Sequence, residues 1–298
     1  MTEPADETPA PPGAQVSDGA MIEQLTDDWG FFIRSAQQFE RFRSAYQDIE
    51  VHDTVAFGRL FRLDGHFMTS EKDEFFYHEN LVQMAAVSHP SPRRALIVGG
   101  GDGGSAEELL KHPSLTAVTI CEIDAAVVDI SRRYLREVHR GALDDPRVTL
   151  RFADGFAFVR NTAERFDLIV LDLTDPGGPS TPLYTEDFYR ACAARLEPGG
   201  AMTLHIASPI AHPGRIRDGL SRLRAVFTRV RPYLVSIPLY GGLWMMACAS
   251  ATLDPADLSA DEVDRRIALR GLPRLRYYNG ETHRAALALP NFVRELAG

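Results

Sequence analysis

The chain runs to 298 residues, 45% of them hydrophobic, with a formal net charge of −9. That balance suits a globular core and excludes the basic footprint of a nucleic-acid binder and the polybasic patch of a membrane-surface protein. Cys121, Cys192 and Cys248 stand far apart, no apolar run reaches membrane-spanning length, and the N-terminus shows no signal-peptide pattern, so the expectation is a cytoplasmic protein without disulfides.

Residues 1–20, rich in Pro, Ala and acids, read as a disordered tail. Alternating apolar positions at 46–52, at 58–63 and after Gly65 predict strands, and Asp64-Gly65 between two of them is a hairpin signal. Residues 21–75 are therefore expected to form a small antiparallel β domain. A connecting helix is predicted over 73–87, ending before His89-Pro90. Strands then follow at 95–98, 117–121, 148–152, 168–171, 201–205, 231–236 and 243–249. Helical patterns lie between them near 105–111, 125–134, 156–161, 185–196 and 214–227. Such alternation over 76–298 predicts an α/β, Rossmann-like, doubly wound and mostly parallel sheet that binds ligands at the carboxyl ends of its strands.

The first of these strands empties into Gly99-Gly-Gly-Asp-Gly-Gly104, and Ser105 opens the following helix. Gly99, Gly101 and Gly104 satisfy G-x-G-x-x-G, and Glu122 ends the next strand, a pattern that fits any adenosine cofactor. Asp102 argues against a dinucleotide, because a carboxylate there would face the pyrophosphate. A cofactor that brings a cation, such as a sulfonium or an amine, fits better; the alternative is that Asp102 caps the helix.

Asp102, Glu122, Asp154, Asp172 and Asp175 all fall at strand ends, so five carboxylates gather on one rim, a costly grouping unless cations or donors meet them. Glu122 is placed to accept ribose hydroxyls and Asp154 an adenine amino group. The stretch from Asp172 to Asp175-Pro-Gly-Gly-Pro179 holds two acids in a proline-stiffened turn, which suits a cationic amine substrate. No set of histidines or cysteines has metal-ligand spacing.

Gly99–Gly104, Glu122-Ile-Asp124, Asp154-Gly155, Asp172 with Asp175-Pro176, and Tyr46-Gln-Asp48 together resemble the polyamine aminopropyltransferases, the spermidine synthase family. Asp73-Glu-Phe, Tyr77-His-Glu79 and the segment from Tyr277 to Ala286 resemble it too, so the likeness runs from about Trp29 to the C-terminus. The resemblance implies a sheet of the methyltransferase type, a homodimer or homotetramer, decarboxylated S-adenosylmethionine as co-substrate, and a diamine such as putrescine as acceptor. It implies single displacement to spermidine and methylthioadenosine, with no metal.

Carried over residue by residue, Glu122 holds the ribose and Asp154 the adenine, with Gly99, Gly101, Gly103 and Gly155 shaping the cofactor loops. Asp102, assisted by Gln47, binds the amine of the aminopropyl arm. Asp172 accepts the proton of the attacking amine, and Tyr77 positions that nitrogen, with His78 nearby. Asp175, Tyr240, His205 and Trp244 line the acceptor side. Three departures from the family pattern also lie there: His205 where Gln is common, Leu173 in place of a usual Ser, and a stretch after Tyr240 that is one residue short. His89, His112 and His139 are expected at turns or on the surface, and Tyr277, Tyr278 and His283 to serve packing. The rival readings are an S-adenosylmethionine-dependent amine N-methyltransferase, a nicotinamide oxidoreductase, and a polyamine-binding homologue without turnover.

Overall fold

Residues 19–273 and 275–298 are described by a computed structural model. The stretch 1–20, expected to be a disordered tail, lies outside them apart from its last two residues.

Alternating apolar side chains build the first strands. β1 (Ala20–Gln24) pairs antiparallel with β2 (Gly30–Arg34). A four-stranded antiparallel sheet follows, made of β3 (Gln37–Arg43), β4 (Asp48–Thr54), β5 (Gly58–Leu63) and β6 (His66–Ser70). The β5–β6 hairpin turns on Asp64 and Gly65 at φ 48° and 84°, the positive pair a tight two-residue turn requires. α1 (Glu74–Ser88) is buried nearly all round, as an interior helix must be. It stops because His89, preceding Pro90, is held extended at ψ 135°.

The remaining elements alternate: β7 (Arg94–Gly99), α2 (Gly104–Leu110), β8 (Ala117–Glu122), α3 (Ala125–Tyr134), α4 (Arg136–His139), β9 (Val148–Phe152), α5 (Gly155–Asn161) and β10 (Phe166–Asp172). They continue with α6 (Glu186–Ala193), β11 (Leu196–Ala207), α7 (Pro213–Arg224), β12 (Arg229–Ile237), β13 (Gly242–Ser250), α8 (Ala260–Leu269), α9 (Gly280–Leu287) and α10 (Asn291–Ala297). The sheet order is β12-β13-β11-β10-β7-β8-β9, with β13 antiparallel to both neighbours and the other pairings parallel. On β7, Ala95 and Ile97 enter one core and Leu96 and Val98 the other, the two-residue period of a strand covered on both faces. Strand order reverses between β7 and β10, so the crevice opens at their carboxyl ends.

The structure differs from the sequence reading in three places. The helix expected over 185–196 ends at Ala193, and Leu196 already pairs with Phe166, because Pro198 cannot continue a helix. The three C-terminal helices were not among the predicted elements. The segment leading into α9 is tied down by Glu79, whose carboxylate accepts the backbone N–H groups of Arg276, Tyr277 and Tyr278 at 2.7, 2.8 and 2.8 Å. His112 and His139 are buried rather than superficial. His112 meets Gln83 at 2.7 Å, and burial with the charges of Arg270 and Lys111 pushes its ring down to about 3.

Candidate active site

Gly99, at φ +80°, ends β7, and a Cβ there would lie 2.1 Å from the carbonyl oxygen of Asp172. The absence of that Cβ lets the ends of β7 and β10 close on each other, with the Gly100 N–H donating to the same carbonyl at 2.9 Å. Asp172 is thereby set beside the first turn of α2, where the Ser105 hydroxyl donates to its Oδ2 at 2.7 Å. A Cβ on Gly104 would meet the ring of His78 at 2.2 Å, so glycine also admits that imidazole from α1.

His78 is the hub of the buried charges. Its Nε2 lies 3.4 Å from Asp102 Oδ2, and its Nδ1 lies 3.1 Å from Glu74 Oε2. Glu74 is held in turn by Arg140 at 3.0 Å. Burial opposes charge on the ring, yet the carboxylates of Asp102 and Glu74 overcome it and hold His78 well above the usual histidine range. Asp102 and Asp172, clustered with His78, are driven apart. Burial would raise Asp102, but His78 and the Gly104 N–H, which donates to Oδ1 at 3.0 Å, hold it below the ordinary value. Burial and the Asp102 charge push Asp172 up, against the Ser105 and Tyr77 hydroxyls. One acid is held below the ordinary carboxylate range and the other above it.

A cleft opens over this cluster. Gln47, Tyr77, His78, Gly99, Gly101, Asp102, Glu122, Asp154, Gly155, Asp172 and Tyr240 line it. Glu122 accepts N–H bonds from Gly101 at 3.2 Å and Asp124 at 2.9 Å, while burial pushes its carboxyl up to about 7. Asp154 caps α5 through the Ala157 N–H at 2.7 Å. Gly103 is not on the wall; a Cβ there would strike His139 and Leu143 beneath the loop. The amide of Gln47 reaches Asp124 Oδ2 at 3.0 Å, not Asp102. Phe61, Leu63 and Met68 supply an apolar wall from the four-stranded sheet, to which no residue motif pointed.

A second pocket adjoins the first and shares Tyr240 with it. Asp175, His205 and Trp244 line it, joined by Glu23, His212 and Arg215. The His205 ring is fixed between the hydroxyls of Tyr77 at 3.0 Å and Tyr184 at 3.1 Å, with Asp175 Oδ1 at 3.2 Å from Nε2. Trp244 is 7% exposed, donates to the Tyr240 carbonyl at 3.1 Å and meets both His205 and Tyr240 edge-on. Tyr240 donates to the Met68 carbonyl at 2.7 Å, which joins the loop after β12 to β6.

The profile of the spermine/spermidine synthase domain matches residues 74–258. The chain belongs to the spermine/spermidine synthase family. It is 50% identical over 290 residues to a polyamine aminopropyltransferase of Nitrosomonas europaea, a match covering 97% of this chain and 89% of that one. It is 42% identical to another from Moorella thermoacetica, covering 92% and 94%. A solved spermidine synthase in complex with the transition-state analogue AdoDATO superposes with a TM-score of 0.88 at 36% identity, covering 94% of each chain. The spermidine synthase of Thermotoga maritima does so at 0.85 and 35%, again covering 94% of each. The protein is therefore an enzyme of the aminopropyltransferase class.

Within this family setting, several site residues had no role in the sequence reading. Glu74 and Arg140 complete the charge balance of His78, Ser105 orients Asp172, Tyr184 fixes His205, and Arg215 pairs with Asp175 at 3.1 Å. Glu74 stood inside a quoted motif, and Ser105 at the mouth of the glycine loop. Arg140, Tyr184 and Arg215 carry no local signal, since only the fold brings them to the cleft.

Proposed function

We propose that the enzyme transfers the aminopropyl group of decarboxylated S-adenosylmethionine to a diamine, putrescine first among them, giving spermidine and methylthioadenosine by single displacement. The observation that carries this reading is the divergence of Asp102 and Asp172 within one cleft, the first held low and the second pushed up. An ionised Asp102 attracts the ammonium of the aminopropyl arm and repels the carboxylate that ordinary S-adenosylmethionine carries on the same carbon. Glu122 takes the ribose hydroxyls, and Asp154, with the backbone of its loop, the adenine.

The acceptor nitrogen attacks the methylene beside the sulfonium. The new C–N bond forms as the C–S bond breaks, and the sulfur leaves as a neutral thioether that needs no acid. The proton of the attacking amine, whose free pKa is about 10, goes to Asp172, while the Tyr77 hydroxyl, held by His205 on the wall of the same cleft, positions the nitrogen. The flanking Asp175, His205, Tyr240 and Trp244 receive the rest of the acceptor. The same reading has the chain acting as a homodimer or homotetramer in the cytoplasm, with a β domain to residue 75 and a catalytic domain from 76 onward.

The test is an end-point assay against a panel of amines, with ordinary S-adenosylmethionine in parallel, reading methylthioadenosine and the lengthened amine by mass spectrometry. Product with a diamine and the decarboxylated co-substrate alone is the expected result; methylation of the amine would overturn it. Asp172→Asn is expected to lower kcat about 100-fold or more with methylthioadenosine affinity little changed. Near-wild-type turnover of that variant would remove Asp172 as the base.

A further inference from the structure

Three carboxylates face the outer cavity, and each already has a partner within the fold. Glu23 lies 2.7 Å from His66 Nδ1 and accepts the Phe67 N–H at 2.7 Å. Asp64 accepts the Asp48 N–H at 2.8 Å. Asp175 divides its two oxygens between His205 Nε2 at 3.2 Å and the Arg215 guanidinium at 3.1 Å. Burial alone would raise Asp175, but the His205 hydrogen bond and the Arg215 charge hold it below the usual carboxylate range. It is an anion whose counter-ion comes from the protein itself.

We propose that Arg215 is a specificity-determining residue: it occupies the Asp175 carboxylate that would otherwise receive the far ammonium of a diamine, and so narrows the enzyme's preference for diamines over monoamines. The inference rests on the aminopropyl-transfer reading above. The Arg215 and Asp175 side chains are each 40% exposed, so their pair is weak enough for a second cation to displace and strong enough to compete with it. Arg215 stands on the exposed face of α7, with a long side chain free to swing away when displaced. A monoamine of equal length places a methyl group where the second ammonium would sit. It makes no demand on Asp175, so Arg215 does not compete with it.

The experiment compares butane-1,4-diamine with butylamine as acceptors in the wild type, Arg215→Gln and Arg215→Lys. The ratio of their kcat/KM values is expected to rise about three- to tenfold in Arg215→Gln, through a lower KM for the diamine, and to stay near the wild-type value in Arg215→Lys. Calorimetric titration of both amines onto enzyme saturated with methylthioadenosine reads the same selectivity without turnover. An unchanged ratio in Arg215→Gln, or an equal rise in Arg215→Lys, overturns the proposal. If no amine yields methylthioadenosine while the calorimetric ratio still shifts, the transfer reading fails and the cation competition stands.

Discussion

Glu122 is a buried side chain whose proton affinity would make nucleoside binding, as proposed, depend on pH. It is 7% exposed at the end of β8, and burial pushes its carboxyl from 4.5 up to about 7. Ribose hydroxyls are donors and favour the ionised form, so on the proposed reading a bound nucleoside would drive a proton off the free enzyme's carboxyl near neutrality. Methylthioadenosine is expected to bind more tightly as pH rises from about 6 to about 8, releasing a fraction of a proton, and Glu122→Gln should flatten the dependence. Calorimetry in two buffers of different ionisation enthalpy measures that proton; none released in the wild type would contradict the assignment. The same shift bears on stability. Between 4.5 and about 7 the folded state holds more protons at this site than the unfolded chain, so its contribution to stability falls as pH rises through that window. At this scale the identity of the acids was legible in the sequence, because each follows a strand. Their proton affinities were not, since those depend on burial and on His78, which approaches from another helix.

Among the elements, α1 joins the most distant parts of the chain. Asp73, just before it, accepts the Ser70 hydroxyl at 2.5 Å and the Leu239 N–H at 2.8 Å. Glu79 holds three successive N–H groups of the segment leading into α9. Glu79→Ala would leave those donors without their acceptor and is expected to destabilise the protein by about 2–3 kcal/mol, measured by chemical denaturation. A loss below about 0.5 kcal/mol would show that water replaces the carboxylate at little cost. The sequence reading placed this helix at 73–87 and the structure has it at Glu74–Ser88, because the Pro90 stop is local. The placement of the segment before α9 was not legible locally, because its anchor, Glu79, lies about 200 residues away in the chain.

For the whole molecule, the site depends on two sheets meeting. The parallel sheet supplies the acids, and the four-stranded sheet supplies Phe61, Leu63 and Met68, which close the cleft from the other side. Beyond them β1 and β2 form a two-stranded sheet on which Ile22 and Phe32, directly opposite each other, are 53% and 45% exposed. Such a ribbon is marginal in water by itself, and this apolar pair is where a second copy would give most support. Sedimentation is expected to report twice the 33.0 kDa chain mass or a higher multiple, with Phe32→Ser shifting the balance toward single chains. A wild-type protein that sediments as one chain at every concentration would contradict this. No helix among the described residues is long and apolar enough to cross a membrane. The sequence by itself determined the order of the strands from β7 to β13 and of the longer helices between them, the glycine loop and the acids at the strand ends, because strand period, turn chemistry and strand-end position are local properties. Only the tertiary structure decided which acid stays charged, where Gln47 directs its amide, and that Arg215 neutralises Asp175, because each depends on side chains brought together from distant segments in a medium with little water.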